Sequence, residues 1–256
     1  MITSSQNPKL KLIRALAGRS KERRKEGAFL AEGVRLVEEA LTAKWPFRFV
    51  LCAEGLSERG QTLVRRLKVE GVEVEDIDSS LMKSLSETET SQGIIAVLDY
   101  SPLSIPSSLD FLLIPDQIRD PGNLGTLLRT AAAAGVQAVL LPPETTDAFA
   151  PKVVRAGMGA HFRLPFHAMT WDEIVQVCKG ASLQVFLADM GGTPCWETDF
   201  RNPLALIVGG EAEGASESAR KLASVKVSIP MPGQAESLNA GIAGAVLMFE
   251  IVRQRQ

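Results

Sequence analysis

Apolar residues recur along the chain in two alternating patterns, and together they predict an α/β protein. Short apolar runs such as "FLLIPD" (111–116) are typical of buried strands, whereas segments such as "WDEIVQVCKG" (171–180) have the spacing of an amphipathic helix. The pattern also predicts a strand at "FRLPF" (162–166) and a C-terminal helix over "SLNAGIAGAVLMFEIVRQR" (237–255). Continuous apolar strands that alternate with helices indicate a parallel sheet covered on both faces.

The segment "SPLSIPSSLD" (101–110) interrupts this alternation. Proline and serine crowd together there without apolar periodicity, which is typical of a linker. We therefore predict a smaller N-terminal α/β domain (1–100), a linker (101–108) and a C-terminal parallel-sheet domain (109–256).

Composition limits the class of protein. The 256 residues are 45% hydrophobic and 23% charged, as in an ordinary globular protein. The N-terminus has no apolar signal core and no apolar run is long enough for a membrane span, so we expect a cytoplasmic protein without membrane contact. The three cysteines lack CxxC spacing, which suggests neither a disulfide framework nor a zinc site, and we expect no metal. His161 and His167 have no partner residues at metal-ligand spacing, so both are expected to be structural.

Charge is spread unevenly along the chain. The formal net charge of -2 argues against a protein coated by nucleic acid, yet positive residues dominate the first 26 positions. They are Lys9, Lys11, Arg14, Arg19, Lys21, Arg23, Arg24 and Lys25. Two interpretations remain open: a solvated helical face, or an arm that binds RNA phosphates, above all through Arg23, Arg24 and Lys25.

Candidate chemistry is concentrated in three segments that follow predicted strands of the C-terminal domain. They are "PDQIRDPGNLGTLLR" (115–129), "VGGEAEG" (208–214) and "PMPGQAESLN" (230–239). Ligands of open α/β sheets bind beyond the carboxyl ends of strands, where these segments lie. No GxGxxG follows the first strand of the domain and no GxxxxGK[ST] occurs, which weakens dinucleotide and P-loop interpretations.

Individual residues in these segments are unusual for their surroundings. Arg129 lies in an alanine-rich helix that otherwise predicts buried packing, and burying an unpaired arginine is costly. Gly209 and Gly210 allow a ligand to approach the backbone, although for this motif alone a plain strand-to-helix turn with Glu211 on the surface is favoured. Ser237 is expected to cap the last helix, which leaves Asn239 as a poor helix-interior residue.

A further segment, "KVVRAGMGAHFRLPF" (152–166), places Arg155 before a glycine-methionine-glycine turn. Arg155 is expected to contact either an RNA phosphate or a neighbouring carboxylate, and the sequence does not separate the two.

Taken in order, the three segments resemble the signature motifs of the SpoU (TrmH-type) family of RNA 2'-O-ribose methyltransferases, within the SPOUT superfamily. The matching stretches are "DPGNLGTLLRTA", "LIVGGEAEG" and "IPMPGQAESLNAGIAGAVLMFE". Upstream, "EGVRLVEEAL" and "ETSQGIIAV" resemble the ribosomal-protein-like RNA-binding domain that many members carry. The resemblance covers nearly the whole chain.

The resemblance implies a deep trefoil knot in the C-terminal domain, a homodimer with active sites shared between subunits, and S-adenosylmethionine as cofactor. It places catalytic roles on Asn123, Arg129, Glu211, Ser237 and Asn239. It places the cofactor against the loops at Gly209, Gly210, Ile229, Met231 and Leu238. The implied substrate is RNA, and the domain layout favours large-subunit ribosomal RNA.

Three alternatives remain open. The protein could instead methylate transfer RNA, or it could be a non-catalytic RNA-binding factor for ribosome assembly with the same fold. A Rossmann-type methyltransferase of small molecules fits less well, because it would need a glycine-rich turn after the first strand.

Overall fold

The computed structural model describes residues 1–86, 91–210, 214–233 and 236–256. Its contacts divide the chain into two compact units. The first unit contains residues 1–101 together with 147–162, and the second contains 102–146 and 163–256. The predicted domain boundaries remain a prediction, and the compact units differ from them in one respect: residues 147–162 fold with the N-terminal unit.

The first unit is built on a mixed sheet with strand order β1-β4-β2-β3. Its strands are β1 (Ala28–Glu32), β2 (Phe47–Ala53), β3 (Val74–Ile77) and β4 (Ile94–Asp99). Strand β4 is antiparallel to β1 and β2, whereas β2 and β3 run parallel. Its helices are α1 (Pro8–Gly18), α2 (Ser20–Glu26), α3 (Val34–Thr42), α4 (Glu58–Val69), α5 (Ser79–Leu85) and α7 (Pro151–Gly157).

Residues 147–162 join this unit through an aromatic cluster. The Phe149 ring lies 4.8 Å from Phe29 on β1 and stacks on Tyr100 at 4.3 Å between ring centroids. Phe162 in turn lies 5.3 Å from Trp45. Aromatic side chains bury large apolar areas, so this cluster explains why the segment packs on β1.

The second unit has a parallel sheet with strand order β10-β8-β9-β5-β6-β7. The strands are β5 (Phe111–Asp116), β6 (Ala138–Leu141), β7 (Phe166–Ala168), β8 (Gln184–Pro194), β9 (Leu204–Gly209) and β10 (Val225–Ser228). The helices are α6 (Pro121–Ala133), α8 (Trp171–Gly180), α9 (Glu217–Leu222) and α10 (Ala240–Gln254). The predicted α/β class with a parallel sheet is confirmed.

Helices cover both faces of this sheet, because alternate strand residues point to opposite sides. Leu112 and Ile114 of β5 share a buried cluster with Ile174 of α8 and Ala219 of α9. On the opposite face, α6 and α10 pack on each other and on β5 and β9.

One predicted strand is wrong in position. "FRLPF" (162–166) was expected to be a strand, but Phe162 ends a 3₁₀ turn and the strand β7 covers Phe166–Ala168. The proline at 165 explains the shift, since its backbone lacks the N–H that a strand interior donates.

Candidate active site

The candidate site lies where the strand order reverses, at the carboxyl ends of β5 and β9. Asp116 at the end of β5 pairs with Gly209 at the end of β9. The chain leaves β5 toward β6 on one side of this pair and leaves β9 toward β10 on the other. Such a switch point is where open α/β sheets form their ligand crevice.

Helix α6 brings the first motif to this edge. Asp120 caps the helix by accepting a hydrogen bond from the Asn123 N–H at 2.9 Å, and Pro121 occupies the first helical position. Both residues are typical of a helix start. Asn123 is therefore held in the first turn of α6, half-buried.

Helix α10 brings the third motif to the same place, and here one prediction is wrong. The cap is Asn239 rather than Ser237: its Oδ1 accepts from the Ile242 N–H at 3.2 Å, and the helix begins at Ala240. Asparagine is a preferred N-cap, which resolves its poor fit to a helix interior. Ser237 is exposed two residues before the cap.

A hydrogen bond joins the two motifs directly. The Asn239 Nδ2 donates to Asn123 Oδ1 at 2.8 Å, across 116 positions of sequence. The first turns of α6 and α10 therefore meet, and their backbone N–H dipoles point toward one region. Paired helix N-termini favour a negative charge, such as a phosphate or a developing oxyanion.

Small residues explain how closely these helices approach. A side chain at Gly244 of α10 would collide with Leu127 of α6, and one at Gly241 would come within 3.2 Å of Thr126. Glycine at both positions lets α10 lie against α6 along its first turns. This packing holds Asn123 and Asn239 at hydrogen-bonding distance.

Arg129 lies farther along α6 with its side chain exposed. Within the described part of the chain, no hydrogen bond or ion pair of Arg129 is found. Because Arg129 is not buried, it needs no structural partner. Its guanidinium is accessible to a ligand.

The second motif forms a turn in which backbone packs on backbone. A Cβ at Gly209 would lie 2.7 Å from the Ala215 nitrogen, and a Cβ at Gly210 would lie 2.6 Å from the Gln117 carbonyl oxygen. Only glycine permits this approach. Glu211, the predicted catalytic carboxylate, lies outside the described residues.

Sequence reasoning missed Asp116, which is fully buried at this edge. Its Oδ2 accepts a hydrogen bond from the Ser216 N–H at 2.6 Å, while its buried Oδ1 has no hydrogen-bond partner among the described residues. Burial raises the pKa of this carboxyl above its ordinary value, and Glu144 adds to the rise while Arg220 opposes it. The available signal was an acidic residue at the end of an apolar strand.

The remaining predicted cofactor contacts lie between β10 and α10. Ile229 and Met231 are half-buried, and Leu238 is 37% exposed. Their contact with a cofactor, and their closeness to Gly209, remain predictions.

The predicted RNA-binding arginines differ from one another. Arg23 is 4% exposed; it forms an ion pair with Asp147 at 2.7 Å and donates to the Leu16 carbonyl at 2.6 Å. The guanidinium is already paired inside the first unit, which disfavours an RNA contact at Arg23, and that contact remains a prediction. Arg24 and Lys25 are the other two predicted RNA contacts on α2. The Lys25 side chain is 69% exposed, and the role of both residues remains a prediction.

Arg155 follows the carboxylate alternative. Its Nη1 lies 3.8 Å from Glu32 Oε2, and it is buried without a hydrogen-bond partner among the described residues. The side chain is 32% exposed, and contact of Arg155 with an RNA phosphate remains a prediction.

Both histidines contact backbone carbonyls. The Nε2 of His161 lies 2.7 Å from the Ala148 oxygen, and the Nε2 of His167 lies 2.8 Å from the Leu103 oxygen. Among the described residues, no group of three or more His, Cys, Asp or Glu side chains is arranged to hold a metal. No helix in that part of the chain is long and apolar enough to cross a membrane.

Comparison with known proteins identifies both halves of the chain. The model of the SpoU rRNA Methylase family matches residues 110–249, and that of the MRM3-like substrate binding domain matches residues 7–96. The 23S rRNA (guanosine(2553)-2'-O)-methyltransferase RlmP of Bacillus subtilis is 34% identical, with 98% of each chain covered. The 23S rRNA (uridine(2479)-2'-O)-methyltransferase of Streptomyces viridochromogenes is 31% identical, covering 98% of this chain and 92% of the relative.

Solved structures agree over the same length. The SpoU methyltransferase AviRb from Streptomyces viridochromogenes, in complex with AdoMet, matches with a TM-score of 0.88 and 30% identity over 98% of each chain. An AdoMet-bound rRNA methyltransferase from Sinorhizobium meliloti matches with a TM-score of 0.86 and 29% identity, covering 98% of this chain and 97% of the other.

Proposed function

Because the chain belongs to the SpoU rRNA methylase family, we propose that it methylates a ribose 2'-hydroxyl of RNA with S-adenosylmethionine as cofactor. We propose large-subunit ribosomal RNA as the substrate, since both curated relatives described above are named for 23S rRNA. The hydrogen bond between Asn239 and Asn123 is the observation that carries the catalytic assignment. It joins two motifs distant in sequence at the ligand edge of the sheet.

The residues at this edge fit the proposed cofactor. Gly209 and Gly210 leave no room for side chains because the chain packs against them, and their backbone donors and acceptors are the proposed partners of a neutral adenine. The segment from Ile229 to Leu238 adds apolar side chains that suit the rest of the molecule. When bound, S-adenosylmethionine would supply an electrophilic methyl group on its sulfonium, with S-adenosylhomocysteine as the leaving group.

The residues of the chain then have to orient and activate the hydroxyl. A ribose 2'-hydroxyl is a poor nucleophile, and it loses its proton as its oxygen bonds to the methyl carbon. A guanidinium offers donors and no acceptor, so the proposed role of Arg129 is to grip the adjacent phosphate and stabilise the developing alkoxide by donating to it. The first turns of α6 and α10 add positive potential at the same place. A separate base, either Glu211 or water, would accept the proton.

We also propose that the protein acts as a homodimer. Ile242 and Phe249 are each 50% exposed and lie two helical turns apart on α10, with Leu238 just before the helix. Exposed apolar residues on one helical face are typical of a subunit interface. Because this face adjoins Asn239, a second subunit would cover the open side of the site. The trefoil knot and a cytoplasmic location are proposed with it, on the strength of the family resemblance.

Sedimentation tests the dimer. At micromolar concentration the protein should sediment as a species of twice 27.6 kDa, and Phe249→Glu should shift it toward the monomer. A wild-type protein that sediments only as a 27.6 kDa species contradicts the proposal.

Methyl transfer is tested in three separate reactions. Each contains the protein, radiolabelled S-adenosylmethionine and one RNA: 23S rRNA, 16S rRNA or transfer RNA. Label should enter 23S rRNA at one nucleotide and resist alkaline hydrolysis at that position, because a methylated 2'-oxygen no longer attacks the neighbouring phosphate. Transfer into transfer RNA alone would favour the transfer RNA alternative. Cofactor and RNA binding without transfer to any RNA would favour the non-catalytic factor.

A further inference from the structure

The strongest unexplained feature of the molecule is the buried carboxylate of Asp116. A buried acid is costly unless its oxygens are hydrogen-bonded, and among the described residues only Oδ2 has a hydrogen-bond partner. The carboxylate does not lie in an arbitrary part of the core. It ends β5 beside Gly209, at the edge where the cofactor is proposed to bind.

The hydrogen bond from the Ser216 N–H to Asp116 ties the chain after Gly214 to the end of β5. The chain leaves β9 at Gly209 and returns to the sheet edge at Ala215 and Ser216, and the Ser216 N–H donates to Asp116 Oδ2 at 2.6 Å. Gly210 and Gly214 are bridged within the turn. Gly209 lies against the backbone of Ala215, and Gly210 lies against the Gln117 carbonyl.

We propose that Asp116 is a positioning residue that holds Ala215 and Ser216 against Gly209, and so keeps the backbone at Gly209 in its cofactor-binding position. This inference rests on the proposed function, because it concerns the same cofactor site. The charge-assisted bond to the Ser216 N–H sets where the turn ends, and the β5–β9 pairing sets where it begins. Asp116 itself is buried and acts through the backbone of the turn.

Ser216 offers a matched pair of variants. Its φ of -63° and ψ of 163° already suit proline, so Ser216→Pro deletes the N–H donor with little strain at that residue. Ser216→Ala is the reference, because both variants lose the hydroxyl that caps α9 through the Ala219 N–H. The difference between them isolates the bond to Asp116.

The measurement is calorimetric titration of each variant with S-adenosylhomocysteine, without RNA, alongside thermal melting. We expect Ser216→Pro to bind about 10-fold more weakly than Ser216→Ala, the scale of one charge-assisted hydrogen bond. Asp116→Ala should lose at least as much. Asp116→Asn should recover most of the affinity, since its amide oxygen can accept the same N–H.

A pH series separates positioning from general stabilisation. Protonation of Asp116 weakens the charge-assisted bond, so wild-type affinity should fall on the acid side, and it should fall at a higher pH than an ordinary aspartate predicts. The charged groups that act on Asp116 are Glu144, which raises its pKa, and Arg220, which lowers it. Asp116→Asn should lack this step while melting no lower than the wild type at neutral pH, because it removes a buried charge.

The outcomes distinguish the two levels of the proposal. Equal affinity of folded Ser216→Pro and Ser216→Ala, or an acid-side fall in affinity that Asp116→Asn retains, would overturn the positioning role alone. A wild-type protein that binds neither S-adenosylhomocysteine nor S-adenosylmethionine would overturn the proposed function and this inference with it.

Discussion

Two helices carry arginines that the sequence singled out, and the fold treats them in opposite ways. On α2 of the first unit, Arg23 is buried and paired with Asp147, a carboxylate 124 positions away. On α6 of the second unit, Arg129 is exposed, and within the described residues no partner for it is found. The arginine in the basic run is structural, and the one in the alanine-rich helix is accessible.

The difference shows that local charge does not decide what a cation does. In a basic run, only the lysines and arginines that are not paired with a distant carboxylate contribute to a positively charged surface. Lys9 gives a second example, since it forms ion pairs with Glu73 and Glu75. Conversely, an alanine-rich helix can present an arginine to solvent when only one of its faces packs on the sheet.

The largest effect is expected at Arg129. Arg129→Ala should reduce single-turnover methyl transfer by about 100-fold or more, the scale of losing one preorganised donor to a developing oxyanion. Because the side chain is exposed, the melting temperature and the affinity for S-adenosylhomocysteine should stay close to those of the wild type. Methyl transfer at a near wild-type rate would remove Arg129 from the active site.

Arg129→Lys sharpens the same test. Lysine keeps the positive charge but loses the planar fork that can bind phosphate and hydroxyl together. We expect this variant to be nearly as inactive as Arg129→Ala. Activity well above that of the alanine variant would show that charge alone suffices.

Arg23 should behave in the reverse manner. Arg23→Ala leaves Asp147 without its buried partner and the Leu16 carbonyl without a donor, so it should lower the free energy of unfolding by about 2–3 kcal/mol. Urea denaturation measures this loss, with Arg24→Ala as the control, for which a change within about 0.5 kcal/mol is expected. Equal stability of the two variants would mean that the Arg23–Asp147 pair contributes nothing.

The comparison also separates what sequence could predict from what it could not. Periodicity located "FLLIPD" and "WDEIVQVCKG" at the bounds of β5 and α8, because each carries a complete local signal. The start of α10 was misplaced at Ser237, because two residues with good capping chemistry, Ser237 and Asn239, stand close together. In the structure the helix begins at Ala240, where Gly241 and Gly244 pack against α6. No local sequence pattern encodes this packing.

Long-range pairs account for the rest of the difference. The burial of Arg23 depends on Asp147, and the grouping of residues 147–162 with the first unit depends on Phe149 packing on Phe29 and Tyr100. Sequence spacing carries no information about such contacts. The family resemblance placed Asn123 and Asn239 in the same site, but the direct hydrogen bond between them required the structure.

His161 extends the comparison to pH. Burial lowers its pKa from 6.5 to about 4, so the folded state keeps the ring neutral while the unfolded state takes up a proton. The contribution of His161 to the free energy of unfolding is therefore present in full above about pH 6.5 and is lost as pH falls toward 4. At pH 5 the loss is about 2 kcal/mol. His161→Phe should remove this loss from the pH dependence of urea unfolding. The same pH dependence in both proteins would show that His161 does not titrate this way.

The smallest effect is expected from the cations of α2 that remain exposed. Arg24→Ala combined with Lys25→Ala should weaken RNA binding only several-fold and reduce the slope of log affinity against log salt by about 1–2, because each phosphate contact releases counterions. At saturating RNA, the double variant should transfer methyl groups at the wild-type rate, since both positions precede every catalytic motif. Arg23→Ala provides the contrast, because its guanidinium is already paired with Asp147 and its loss should leave the salt slope of the folded protein unchanged. A reduced slope for Arg23→Ala, or an unchanged one for the double variant, would reverse the assignment of structural and RNA-binding cations on this helix.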